Sequence, residues 1–138
     1  MELADTSAWT NRHKSEVVAN EFADKLVAGR VATCDPVVFE LLRAARDRAQ
    51  VVRRRGDLLG LRSVAIGPRV WLRTLDVLEL LAERGPLHHR GFPLADVLVA
   101  AAAERAELPV LHYDRHFELI GEVTGQPMRA IAPLGSLG

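Results

Sequence analysis

Short apolar runs of strand type alternate along this chain with longer stretches of helical periodicity, and that alternation leaves few folds open. Glu2-Leu3-Ala4 gives way to Asp5-Thr6-Ser7, polar residues typical of a loop after a strand, so a first strand ends near Asp5. Ser15 can cap a helix that carries Val18, Phe22 and Leu26 at i, i+4 and i+8 and stops at Gly29, predicting helix 15–28. Val31 to Cys34 reads as a second strand. Asp35-Pro36 then opens a long helix that turns Val38, Leu41, Leu42, Ala45, Ala49 and Val52 inward. Gly56 to Gly67 suggests a short helix and an extended segment. Pro68 starts an amphipathic helix with Val70, Trp71, Leu75, Leu78 and Leu81/Ala82 on its inner side, ended by Gly85-Pro86. Leu94 to Ala106 is apolar almost all round and belongs in a core. Pro109 to His112 forms a strand, a helix follows through Val123, and Met128 to Ile131 supplies a last strand. The expected fold is α/β with a mainly parallel sheet.

The chain has 138 residues, the size of one domain, and no stretch is polar or repetitive enough to be a linker, so residues 1–138 are expected to form a single domain. Cys34 is the only cysteine, which excludes an internal disulfide, and Val31-Ala32-Thr33-Cys34 makes it a buried, inert thiol. The first ten residues lack the basic and apolar regions of a signal peptide, and the longest apolar run, Val97 to Ala103, is far too short to span a bilayer. A cytoplasmic location without membrane insertion is the expectation. Formal net charge is zero, so any nucleic-acid contact must use a local patch.

Parallel α/β layers place the C-terminal ends of strands and the N-terminal ends of helices on one edge, where ligands bind. Asp5 and Asp114 follow strands, whereas Glu40 and Asp96 are expected in first helical turns, so four acids should face one crevice. Glu40 in PVVFELL and Asp96 in FPLADVLVAAAA are also the odd residues in apolar surroundings. Such carboxylates are costly to desolvate, and several together raise one another's pKa unless a cation intervenes. Each acid alone could equally serve as a cap or a turn residue. As a set they suit a hard cation, Mg²⁺ or Mn²⁺, able to activate water for displacement at phosphorus.

The segments LADTSAW (3–9), PVVFELLRAA (36–45), FPLADVLVAAAA (92–103) and LPVLHYDRHFELI (108–120) resemble, in order and spacing, the PIN-domain ribonucleases, and among them the VapC-type toxins of bacterial toxin–antitoxin pairs. The resemblance implies a three-layer α/β/α domain and a Mg²⁺- or Mn²⁺-dependent endoribonuclease. It maps the family's catalytic acids onto Asp5, Glu40, Asp96 and Asp114, with metal on Asp5, Asp96 and Asp114, and its small hydroxyl onto Thr6 or Ser7. It further implies structured RNA substrates such as tRNA or rRNA loops, a VapB-type antitoxin that covers or enters the crevice, and a homodimer. His116 stands where many relatives carry a further acid, and can bind metal, contact phosphate or donate a proton.

Arg43 and Arg46, in a run that continues through Arg48, Arg53, Arg54 and Arg55, could track an RNA backbone, or form a solvated face or an antitoxin-binding surface. His89 and Arg90 precede the Asp96 helix and could reach phosphate. Trp9 and Tyr113 neighbour two of the acids and could stack on an unpaired base, or pack in the core or rim. His112 and His116 are four apart, but the expected break between strand and loop speaks against a zinc pair. A PIN-like module that binds RNA or protein without cutting is the second reading. A phosphoryl-accepting receiver would need a lysine late in the chain, and only Lys14 and Lys25 exist. An Asp-x-Asp phosphatase would need an acid where Ser7 stands.

Overall fold

A computed structural model describes residues 1–138. Five parallel strands form one sheet: β1 (Glu2–Ala4), β2 (Val31–Thr33), β3 (Arg62–Ser63), β4 (Val110–His112) and β5 (Met128–Ala130), in the order β3-β2-β1-β4-β5. Leu3 is the centre of the register, paired with Ala32 on one side and Val110 on the other. Seven helices flank the sheet: α1 (Thr6–Asn11), α2 (Glu16–Val27), α3 (Asp35–Arg43), α4 (Arg48–Leu58), α5 (Pro68–Ala82), α6 (Leu94–Arg105) and α7 (Arg115–Thr124). The chain winds outward from β1 to β3, then crosses to β4 and winds the other way. Right-handed crossovers therefore send α1–α4 to one face and α5–α7 to the other, the expected three layers. The direction reverses between β1 and β4, and a crevice opens beyond their C-terminal ends.

The core is aliphatic. Val97 to Ala103 in α6 are all buried, as a helix apolar on every side requires. Ser15 caps α2 by accepting from the Val18 amide, and Gly29, at φ 68°, supplies the left-handed residue that ends it. Cys34 is fully buried, and desolvation pushes its thiol up to about 12.

Several expectations need correction. Thr6 to Asn11 is helical and not loop, because Asp5 caps it through the Ser7 amide at 2.9 Å. The long helix from residue 35 is two helices. Asp47 accepts from Gln50 N at 2.8 Å while Gln50 Oε1 accepts from Arg46 N at 2.7 Å, a reciprocal cap that restarts the helix and leaves Ala49 and Val52 exposed. Asp35 is the first helical residue of α3 and Cys34 its cap, so Glu40 lies in the second turn and not the first. On α5 the buried stripe is Val70, Thr74, Val77 and Leu81. Trp71, Leu72 and Leu75 face outward, because this helix has two apolar sides and only the one against α6 and α7 is covered. No helix is long and apolar enough to cross a membrane.

Candidate active site

Asp5 leaves β1 and is 3% exposed. Its Oδ2 accepts from both the amide (2.9 Å) and the hydroxyl (2.7 Å) of Ser7. Ser7 Oγ in turn accepts from the Tyr113 amide at 2.9 Å, so one serine ties the end of β1 to the end of β4. Burial raises the Asp5 carboxyl and the charge of Asp114 raises it further, against the two hydrogen bonds from Ser7.

Asp114 follows β4 and caps α7 by accepting from His116 N at 2.9 Å. Asp96, in the first turn of α6, places Oδ2 2.8 Å from His116 Nδ1, which also lies 3.4 Å from Asp114 Oδ1. Burial, with the charges of Asp5 and Asp114, pushes Asp96 up to about 6, although His116 pulls the other way. One potential ligand atom from each of Asp96, Asp114 and His116 falls within 4.8 Å of the others.

Glu40 joins from α3. Desolvation and then the charge of Asp5 raise its carboxyl, and Arg43 offsets this in part. The nearby Thr6 hydroxyl favours the charged form. Thr6 Oγ1 and Glu40 Oε1 are both buried without a partner.

The other candidates divide. Trp9 is 9% exposed, edge-on to Phe22 at 4.9 Å and covered by the Arg12 guanidinium, which makes it core and not a stacking platform for a base. Tyr113 is half-buried, and its hydroxyl accepts from Leu137 N at 2.8 Å. Arg43 lies over the Phe39 ring at 6.0 Å on the Glu40 helix, and Arg46 is exposed at the break before α4. His89 and Arg90 lie in a 3-10 turn, His88–Gly91. That turn meets the site through Phe92, whose ring packs against His88 at 5.5 Å and against His116 at 5.0 Å. His112 does not share a site with His116, since it is fully buried beneath the turn.

Sequence reasoning undervalued His116, which the geometry places between Asp96 and Asp114. The signal was its position, two residues after a helix-capping acid. It also missed Phe92, because an aromatic before a helix has many explanations. A separate groove of about 660 Å³ runs between α1 and α4 over Trp9, Leu26, Leu41 and Leu58, with Arg12, Arg54 and Asp57 on its walls.

Residues 3–123 match the PIN domain family model. Ribonuclease VapC18 of Mycobacterium tuberculosis is 35% identical over 96% of each chain. Among solved structures, the fold resembles that of DNA-bound VapBC from Salmonella typhimurium, with TM-score 0.70 and 20% identity over 96% of this chain and 100% of that one. It also resembles VapBC-1 of nontypeable Haemophilus influenzae, with TM-score 0.71 and 12% identity over 94% and 97%. Matched to that model over nearly its whole length, and 35% identical to a VapC ribonuclease across 96% of each chain, this chain belongs to the PIN-domain family, in its VapC branch.

Proposed function

We propose that this protein is a metal-dependent endoribonuclease, the toxin of a toxin–antitoxin pair, that cuts structured RNA such as tRNA or rRNA. The observation that carries the reading is the convergence of Asp96, Asp114 and His116 beside the buried Asp5. The residues fit a divalent cation on two counts. Three carboxyls are raised by burial and mutual repulsion, a burden that a cation relieves. Asp96, Asp114 and His116 each offer one ligand atom within 4.8 Å of the others.

Asp5, Asp96 and Asp114 would hold the ion, with His116 at hand, and an imidazole among carboxylates suits Mn²⁺ at least as well as Mg²⁺. When bound, such a cation supplies charge neutralisation at the phosphate and an activated water. Ser7 holds Asp5 and the β4 turn in one arrangement. Phe92 fixes the plane of His116, whose second ring nitrogen is left for a phosphate oxygen or a proton. Glu40, with its affinity for a proton raised, is placed to accept one. Arg43, beside Glu40, and Arg90 are the cations suited to phosphate, and Tyr113 the aromatic suited to a base.

Two partners complete the proposal. A VapB-type antitoxin would neutralise the enzyme by covering or entering the acidic crevice. A second copy of this chain would cover Trp71, Leu72 and Leu75. The test compares the protein with its Asp96→Asn and Asp114→Asn variants on total bacterial RNA, with Mn²⁺, with Mg²⁺ and with EDTA. Discrete fragments that need both the ion and the acids are expected. RNA that binds equally to all three proteins and stays intact with either metal would refute the nuclease and leave a binding module.

A further inference from the structure

His112 is the buried titratable group that the chemistry above leaves unused. It ends β4, its side chain is fully inaccessible, and its ring lies tilted on Phe117 at a centroid distance of 5.3 Å. Its Nδ1 lies 3.1 Å from the backbone N of Asp114. An amide N–H can only donate, so Nδ1 must be the bare, accepting nitrogen and the ring proton must sit on Nε2. Nε2 is buried without a hydrogen-bond partner, 3.7 Å from Glu118 Oε1, and no cation approaches the ring.

That contact stands at the foot of a chain of hydrogen bonds. His112 Nδ1 holds the Asp114 amide, Asp114 Oδ1 holds the His116 amide at 2.9 Å, and His116 Nδ1 meets Asp96 Oδ2 at 2.8 Å. The Asp114 amide has no other acceptor within the protein. We propose that His112, as the neutral Nε2–H imidazole, is a positioning residue: by accepting the Asp114 amide it sets the turn that aims Asp114 and His116 at Asp96. This rests on the proposed cation site, since what the turn positions is that site's donors. The side chain touches neither substrate nor ion. It acts as outer-shell partners of metal ligands do, by fixing the backbone that carries them.

Three substitutions separate this role from simple packing. Asn carries Oδ1 where Nδ1 stands, Gln places its amide further out, and Phe keeps the ring's volume but accepts nothing. Mn²⁺ binding is read by calorimetry and by electron paramagnetic resonance of the free ion, with folding checked by circular dichroism. His112→Phe and His112→Gln should lose roughly 10- to 100-fold in Mn²⁺ affinity, and His112→Asn should stay within about threefold of the parent, even if Asn is the least stable of the three. Parent-like affinity in a folded His112→Phe, or an Asn variant as impaired as Phe, would overturn the proposal.

If Phe does not fold, long-range ¹H–¹⁵N spectra of the parent decide. A bare Nδ1, with an Asp114 amide shift that His112→Asn preserves, supports the role, whereas a proton on Nδ1 refutes it. A parent that binds no Mn²⁺ at all would remove the cation site instead, and the imidazole spectrum would still settle whether His112 holds the turn.

Discussion

Replacing Asp96 with Asn should make the metal-free protein more stable while removing its proposed activity. In the folded chain the Asp96 carboxyl rises from 3.8 to about 6, first through burial and then through the charges of Asp5 and Asp114. At about 1.4 kcal/mol per pKa unit, ionised Asp96 costs the fold about 3 kcal/mol at neutral pH. Solvent reaches part of the crevice, so about 1–2 kcal/mol is the amount expected to register. Asn keeps the shape and can still accept from His116, but carries no charge. For a chain of this length the gain corresponds to roughly 3–8 °C in Tm. The cost is fully present above the folded pKa and disappears below the unfolded one. The variant's advantage should therefore be complete at pH 7.5 and largely gone by pH 4. Thermal unfolding in EDTA, followed by circular dichroism, measures this directly. Millimolar Mn²⁺ should raise the parent's Tm and close the gap, because only the parent offers the full carboxylate set. An Asn variant less stable than the parent in EDTA, or one that gains as much from Mn²⁺, would refute the electrostatic argument.

Three further outcomes follow from the same structure. Burial of Glu2 raises its carboxyl, but hydrogen bonds and charges from Arg129 (2.5 and 2.8 Å) and Lys25 prevail and hold it at about 2. A depressed carboxylate contributes above its unfolded pKa, so stability of about 1–2 kcal/mol should be lost between roughly pH 4.5 and 2, and Glu2→Gln should flatten that part of the acid unfolding curve. Cys34, fully buried with its thiol pushed up to about 12, should resist iodoacetamide at pH 8 until denaturant is added; fast labelling of the native protein would contradict the burial. Leu72→Arg with Leu75→Arg on α5 should turn the proposed dimer into a monomer in sedimentation experiments while costing the single chain no more than about 1 kcal/mol, since both side chains are exposed in it.

The sheet, the buried α6 and the ends of α2 were legible because each rests on local patterning: an apolar run, a cap or a stop. The errors arose where two patterns competed. Residues 35–58 keep enough helical periodicity to hide a break, and only the spacing of Asp47 and Gln50, three apart, marks where the helix restarts. On α5 two apolar faces compete, and periodicity cannot tell which meets α6 and which Trp71, Leu72 and Leu75 leave open. The four acids could be named because strand ends and helix starts converge on one edge of a parallel sheet. Glu40 was misplaced by one turn without being lost. The contacts of His112 and Phe92 were not legible, since both depend on the path of the chain between β4 and α7 and before α6, which no local pattern reports.

The choice between reading these acids as caps and reading them as a site turns on two of them that can serve both ends. Asp5 Oδ2 caps α1 through Ser7, and Asp114 Oδ1 caps α7 through His116. In each case one oxygen is spent on the backbone, and the other, Asp5 Oδ1 or Asp114 Oδ2, makes no hydrogen bond within the protein. Asp96 sits in the first turn of α6, where the helix dipole also favours negative charge. Three helix starts thus partly offset charges that would otherwise disrupt a crevice lacking a cation, while keeping an oxygen of each capping acid available. A cap alone would leave its acid replaceable by Asn or Ser with little loss. A site that borrows the cap requires Asp for its second oxygen. Asp5→Ser and Asp114→Ser should accordingly fold, with Tm close to the parent's, and yet lose Mn²⁺ binding. Retained binding in either variant would show that the carboxylates serve the helices and nothing more.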